Sequence, residues 1–409
     1  MFNKKTNSTA KEQNVPAYPT LADVDVANRA VLMRVDFNIP PTAEGGLADD
    51  LRLKTHLPSI QTLLKRKARL VLITHRGRPQ GQIVPSLSTR PLAEHLSTLL
   101  GQPVGFVPDC IGRVAEQAIT KLGAGEVLLL ENTRFHLGEQ MNDPAFVKAL
   151  AKLGDVFVND AIAVAHRPHA SVSGLAAHMK ESVLGPLMVK ELEWLARIQT
   201  NPTRPLVCLL GGAQVPIKLE LIRHLMTRVD TLILAGVVAH TFLASRDMGL
   251  GHSLLDPACV EQAREIFTEA GVVGCRLLLP LDFTVTRRQG ISVPITRPAT
   301  GLLADDIAMD IGPQTLATWS KVIQQAGTVV WLGSLGAVEQ APFQDGTLGL
   351  ANAVVHSKAF SVLAGDGLSK ALRDGGLRPM LPHIASGPAV VMHALMDKPL
   401  PPLQVLKMS

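Results

Sequence analysis

The residues best placed to do chemistry stand where short apolar runs stop. The run Ala30–Val35 leads into Asp36, Phe37 and Asn38, and Leu70–Thr74 leads into His75, Arg76, Gly77 and Arg78. Val127–Leu130 leads into Glu131, Asn132, Thr133 and Arg134, and Val156–Val158 into Asn159 and Asp160. The segment AHRPHAS comes next, with His166, Arg167 and His169. Guanidinium forks match carboxylate and phosphate oxygens two at a time. Cations after several runs at once predict a site for a small, doubly anionic molecule, because ligands of open parallel sheets bind beyond the carboxyl ends of the strands. The plainer reading is surface arginines paired with acids.

The second half of the chain carries glycine at the corresponding places. Leu206–Leu210 leads into Gly211 and Gly212, Thr231–Leu234 into Ala235 and Gly236, Thr328–Trp331 into Leu332 and Gly333, and Phe360–Leu363 into Ala364, Gly365, Asp366 and Gly367. Glycine lets backbone approach a phosphate or a base, and a helix start offers free N–H donors. Each such turn is weak by itself, since strand-to-helix turns often need glycine for geometry. Together they predict a nucleotide face opposite the anion site.

The elements that must hold these residues are set by the same runs. With Leu277–Leu279 there are nine apolar runs, separated by helical patterns such as Leu57–Lys67 and Leu92–Leu100. This alternation predicts βαβ units and parallel sheets. The runs fall into two groups divided by LMVKELEWLARI (187–198), an amphipathic helix suited to join two domains. The fold class is α/β, with two Rossmann-like lobes of parallel sheet joined by a hinge helix.

Composition agrees with that picture. The 409 residues exceed one ordinary core, and 46% hydrophobic with 18% charged residues is globular. A net charge of +5 suits an anionic small molecule, while 4% aromatic residues argue against single-stranded nucleic acid. The four cysteines, Cys110, Cys208, Cys259 and Cys275, form no CxxC pair and read as buried hydrophobes. The polar start MFNKKTNSTAKEQNVP has no apolar core, and no stretch reaches the ~20 apolar residues of a membrane helix. A cytoplasmic protein without nucleic-acid or membrane partners is the expectation.

The blocks RVDFNIP, DDLRLK, THRGRP, LLLENTRF, VNDAIAVAHRPHAS and GPLMVKELEWL, continued by LLGGAQV, HTFL, GHSLLD, LPLD, DIGP, TVVW and PFQDGTL, closely resemble phosphoglycerate kinase from about residue 19 to the end. The resemblance implies a monomeric hinge enzyme of glycolysis that moves a phosphoryl group between 1,3-bisphosphoglycerate and ADP, with ATP/ADP and Mg2+ as cofactors. It implies a polar extension (1–18), a 3-phosphoglycerate lobe (19–184), a helix and hinge (185–203), a nucleotide lobe (204–385) and a segment returning to the first lobe (386–409). Asp36 and Asn38 should meet the hydroxyl and carboxylate side of 3-phosphoglycerate, and His75, Arg78, Arg134 and Arg167 its phosphate. Arg52 should face the transferred group, with Lys218 and Gly365 as its catalytic companions. Gly211, Gly212, Gln214, Lys218, Gly236, Gly312, Glu339, Gly365, Asp366 and Gly367 should line the nucleotide, Glu339 at the ribose and Asp366 at the metal.

The nucleotide half departs from the family pattern. A lysine of GGAKVSDK is Gln214, a glycine is Val237, the asparagine of WNGP is Leu332, the threonine of GGGDT is Gly367, and TGGG reads Ser386, Gly387, Pro388, Ala389, so a positive charge is lost and Val237 and Leu332 are expected to add apolar bulk on the nucleotide side. Two functions are compatible with this pattern. One is a phosphoglycerate kinase whose turnover these changes reduce. The other is a catalytically weak or silent relative that binds 3-phosphoglycerate as a sensor or partner.

Overall fold

The structure, a computed structural model, describes residues 18–42, 46–287 and 293–406. The first sheet contains β1 (Ala30–Arg34), β2 (Arg69–Ile73), β3 (Val104–Val107), β4 (Val127–Leu130), β5 (Val156–Asn159) and β6 (Ser182–Leu184), all parallel, in the order β3-β4-β2-β1-β5-β6. The second half holds β7 (Leu206–Leu210), β8 (Thr231–Leu234), β9 (Arg276–Leu278), β10 (Asp282–Arg287), β11 (Ile295–Pro298), β12 (Asp306–Ile311), β13 (Thr328–Leu332) and β14 (Phe360–Ala364). Five of these form a parallel sheet in the order β14-β13-β7-β8-β9, and the other three an antiparallel sheet, β11-β10-β12.

Both parallel sheets are buried on both faces, so their central strands are apolar over most of their length, with polar residues such as Arg34 and Asn159 only at the ends. Along β1, Ala30 and Leu32 enter one core while Val31 and Met33 enter another; along β7, Cys208 and Leu210 face one way and Val207 and Leu209 the other. The nine apolar runs all fall on strands. The antiparallel sheet and the edge strands β3 and β6 lie beyond that expectation. In β10, DFTVTR, only Phe283 and Val285 of the interior residues are large and apolar, and β6 has three residues, too few to show a period.

The helix foreseen at 187–198 spans Pro186–Thr200 and buries Met188, Leu195 and Ile198 in a core shared by both halves. The segment after Ala385 returns along it. Gln199 Nε2 donates to the Ala394 carbonyl at 2.6 Å, and the helix Pro401–Val405 packs on residues 170–178 of the first lobe. Gly387 lies so near the first lobe that a Cβ there would stand 2.8 Å from Ala163 Cα. Of the extension expected over 1–18, only Tyr18 is among the described residues; it packs half-buried on the shared core.

Glu191 fastens this junction. Its buried carboxyl accepts the Ser386 N–H at 3.0 Å and the Ser386 hydroxyl. Burial outweighs these bonds and pushes its pKa up to about 7. A carboxyl whose folded pKa exceeds its unfolded value stabilises the fold fully below the unfolded pKa and loses that contribution as pH rises through the folded one. Asp310, buried in the second half and raised to about 7, acts in the same sense. Unfolding free energy measured by denaturant between pH 4 and 8 should therefore carry a downward component, and Glu191→Gln should reduce that slope. An unchanged slope in the variant would count against this titration.

Candidate active site

The cations expected to bind the anion converge beneath the carboxyl rim of the first sheet, and they are short of counter-charge. Arg34, the last residue of β1, is fully buried; its Nε donates to Ser171 Oγ at 2.8 Å and its Nη2 reaches His75 Nδ1 at 3.0 Å. Since arginine only donates, His75 Nδ1 is an acceptor. Burial first, then Arg34, holds this imidazole well below its ordinary pKa, so His75 is neutral. Arg134 donates Nη1 to the Gly77 carbonyl at 2.7 Å, while its Nε and Nη2 are buried without a partner. Burial, then Arg167 and Arg34, lower its pKa to about 10. Arg167 donates Nε to His166 at 3.1 Å; its pKa is lowered by burial and then by Arg78, which is exposed at the rim. Burial brings His166 and His169 down to about 4 and about 3, so both are neutral supports.

The nearby acids are occupied. Glu139 accepts Ser171 N–H at 2.9 Å and its hydroxyl at 2.6 Å, and Asp36 pairs with Arg52. Asp36 also accepts the Asn38 N–H at 3.3 Å, and Asn38 Oδ1 accepts the Gly77 N–H at 2.8 Å, so the two are held together at one strand end.

Arg52 lies in the first turn of the helix Leu51–Lys65 and looks across the cleft. Besides Asp36 it meets Asp366 of the second lobe at 3.3 Å, and Arg373 meets Asp49 at 3.4 Å. Asp36 foremost, with Asp366 adding to it, raises the Arg52 pKa against burial, so the cation persists. Between the lobes is a cavity of about 500 Å3, bordered by Asn38, Arg52, Gly77, Glu339, Asp366 and Gly367.

Across the cleft, the glycine turns pack on one another. A Cβ on Gly236, at φ +58°, would stand 2.9 Å from Gly212 N, and one on Gly211 would run into the Ser334 carbonyl. Gly365, at φ +143°, lies against Gly333 in the same way. These glycines let four loops meet at the end of one sheet. Lys218 is buried beneath the first of them, its ammonium on the carbonyls of Gly211 and Ala213, and burial lowers its pKa to about 8. Beside these turns lies a cavity of about 200 Å3 lined by Val237, His240, Leu254, Phe283, Met309 and Leu335 among others.

The substituted positions separate in space. Gln214 is exposed at the start of the helix Val215–Leu225, and Val237 does line the smaller cavity. Leu332 does not: it is 2% exposed and belongs to the core, which corrects the expectation that its bulk lies on the nucleotide side. Pro388 is the first residue of the helix Pro388–Leu395, where one N-terminal N–H is missing. Gly367 has ordinary contact distances to a built Cβ, 3.6 Å to Glu339 Oε1, so no close approach demands glycine there. Gly312 caps the helix Pro313–Gln325 with Asp282 crowding its Cβ direction, and it borders neither cavity.

A family model described as phosphoglycerate kinase matches residues 21–398. This chain belongs to the phosphoglycerate kinase family. It is 39% identical over 396 residues to the phosphoglycerate kinase of Koribacter versatilis, covering 95% of this chain and 98% of that one. It is 40% identical over 383 residues to that of Moorella thermoacetica, covering 93% and 97%. The solved phosphoglycerate kinase of Pyrococcus horikoshii superposes with a TM-score of 0.85 at 30% identity over 95% of this chain and 98% of that one, and that of Coxiella burnetii with 0.82 at 33% over 95% and 99%. The chain is thus a phosphoglycerate kinase-like phosphotransferase of glycolysis.

Nucleotide with magnesium is the general requirement of phosphoglycerate kinases, and the cleft has a suitable donor. Asp366 projects an exposed carboxylate from the first turn of a helix, and magnesium is commonly held by one or two carboxylates plus substrate phosphates. Sequence reasoning missed Arg34 and the wall formed by His240, Leu254, Phe283 and Met309. A single arginine closing the apolar run AVLM was the available sign of the first. The alternation in DFTVTR was a sign of the second.

The orphaned donors of Arg134 yield a paired prediction. Arg134→Met removes an uncompensated buried cation, so the unliganded protein should melt no lower than the parent. The same change should weaken phosphate-bearing ligands by roughly 10- to 100-fold, the worth of one charge-assisted hydrogen bond. Thermal melts with and without 3-phosphoglycerate read both; lower apo stability with unaltered affinity would refute the assignment.

Proposed function

We propose that this chain is an active phosphoglycerate kinase with weakened nucleotide binding, acting as a monomer. The observation that carries the reading is a cluster of buried arginines short of counter-charge, facing a glycine-built cleft across the Arg52–Asp366 contact. In the direction of ATP use, a carboxylate oxygen of 3-phosphoglycerate attacks the γ-phosphorus. The bond from that phosphorus to the bridging oxygen breaks, ADP leaves with the electron pair, and an acyl phosphate forms. No general base is needed, because the acceptor is already ionised. Catalysis is positioning and charge stabilisation.

Asp36 and Asn38 orient the hydroxyl and carboxylate end of 3-phosphoglycerate. Arg78, Arg134 and Arg167, with neutral His75 as a support, take its phosphate. Arg52 exchanges Asp366 for the moving phosphoryl group and stays held by Asp36. Lys218 and the Gly365 backbone meet the same group from the second lobe, with Gly211, Gly212, Gly236 and Gly367 along the nucleotide and Glu339 at its ribose. Asp366 would hold the magnesium, which when bound offsets phosphate charge. Gly312 acts through the helix it caps. Gln214 lacks the charge of the family's lysine, Val237 narrows the base-sized cavity, and Pro388 withholds one N–H.

Arg52→Ala should lower kcat by roughly 10²–10³, as loss of a charge-stabilising donor does, whereas Arg167→Ala should mainly raise KM for 3-phosphoglycerate. Coupled assays with ATP and 3-phosphoglycerate measure both, and two variants kinetically equal to the parent would sink the assignment.

The charge on Lys218 sets a pH limb. With its pKa near 8, kcat/KM should fall as pH rises through that value and the ammonium is lost. Lys218→Arg should shift the limb beyond the accessible range, and a profile flat from pH 7 to 10 in the parent would argue against a role for this charge.

Gln214→Lys, Val237→Gly and Pro388→Gly combined should raise turnover by more than the product of the single effects, since groups acting as a unit are non-additive. Leu332, in the core, is left out of the set. Equal kinetics in parent and triple variant would mean these positions do not limit the reaction.

A further inference from the structure

Away from the cleft, at the carboxyl ends of β3 and β4, three ligand-type side chains meet. Asp109 and Cys110 come after β3, and His136 after the turn Thr133–Phe135. One donor atom from each, carboxylate oxygen, thiol sulfur and ring nitrogen, lies within 4.8 Å of the other two. His136 Nε2 is 2.7 Å from Asp109 Oδ1. The same oxygen accepts the Cys110 backbone N–H at 2.6 Å, which holds the carboxylate against the start of the cysteine. The ring of His136 packs against Phe146 at 5.3 Å between centroids, which restricts its movement.

We propose that Asp109, Cys110 and His136 form a binding site for a borderline-soft divalent metal of the zinc class, separate from the magnesium of the reaction. Thiolate, imidazole and carboxylate together are a zinc donor set, whereas magnesium takes oxygen ligands. Ligands at 2.0–2.3 Å from a tetrahedral zinc stand about 3.3–3.8 Å apart, so Asp109 and His136, now 2.7 Å apart, would open by about an ångström or less, while the thiol, within 4.8 Å of both, would close in by about an ångström at most. Both of those side chains are partly exposed, 44% and 32%, so they can move and a metal can enter from their side, while the buried Cys110 forms the floor. Burial first, then Asp109, Glu139 and Glu131, keep the thiol protonated, and the same negative charge favours a cation that displaces that proton. Three protein ligands leave one position for water, the arrangement of an exchangeable site.

Cobalt tests this without recourse to activity. The reduced, metal-free full chain is titrated with Co2+, and thiolate-to-cobalt charge-transfer absorption is followed. The expected result is one equivalent of Co2+ giving a thiolate band that Zn2+ abolishes and that Mg2+ leaves unchanged. Cys110→Ala should remove the band, and Cys259→Ala should keep it. His136→Ala, a partly exposed site whose change spares the core, should weaken Co2+ binding by roughly 10–100-fold or more, since even outer partners of metal ligands cost that much. No thiolate band in the parent, a band persisting in Cys110→Ala, or unaltered affinity in His136→Ala would each overturn the proposal and leave an ordinary Asp–His pair beside a buried thiol.

Discussion

Positive charge held under the rim of the first sheet without equal negative charge is the constraint around which the rest is arranged. Burial lowers the pKa of Arg34, Arg134 and Arg167, Arg167 and Arg34 lower that of Arg134 further, and two donors of Arg134 have no partner. Such an arrangement costs stability, because a buried unsatisfied donor loses about 1–3 kcal/mol of solvation. It persists because the scaffold is rigid on both sides: a six-stranded sheet with apolar cores on each face, and the carboxylates of Asp36 and Glu139 committed to Arg52 and Ser171. In the proposed function an incoming phosphate would restore the balance that the fold withholds, which is the source of affinity expected there.

The second lobe is built on a different constraint, the close passage of backbone. Gly211, Gly236, Gly333 and Gly365 bring four loops to one point, and Lys218 is bedded beneath them on carbonyl oxygens rather than on an acid. The cation therefore has no carboxylate partner among the described residues, and burial depresses its pKa. The lobes are linked by a shared core along Pro186–Thr200, by Glu191 with Ser386, and by the ion pairs Arg52–Asp366 and Arg373–Asp49. The last two pairs cross the cleft and use residues that border the substrate cavity, so closure and ligand exchange draw on the same side chains.

Much of this was legible in the sequence for a definable reason. Strands buried on both faces are written as unbroken apolar runs, and the residues just beyond each run form the rim of the sheet, so the cations and glycines are placed by the sequence pattern itself. Direction within a strand was not legible. Leu332 ends β13 and looked like a rim residue, yet its side chain points into the core. Arg34 ends β1 and looked like part of an apolar run, yet it is the innermost cation of the site. The antiparallel sheet escaped because its strands alternate polar and apolar residues over few positions, and with it went the wall of the smaller cavity. Glycine was ambiguous in a physical sense: it permits approach of a phosphate and approach of a neighbouring loop alike, and here the loops make the demand.

The proposed anion pocket keeps the family's cations while the proposed nucleotide face departs from the family pattern, so the two should differ in affinity. Calorimetric titration of the unmodified protein, first with 3-phosphoglycerate and separately with ADP and magnesium, measures that asymmetry directly. The expected result is saturable 3-phosphoglycerate binding and much weaker uptake of the nucleotide. Micromolar ADP affinity, or no heat with 3-phosphoglycerate, would contradict it.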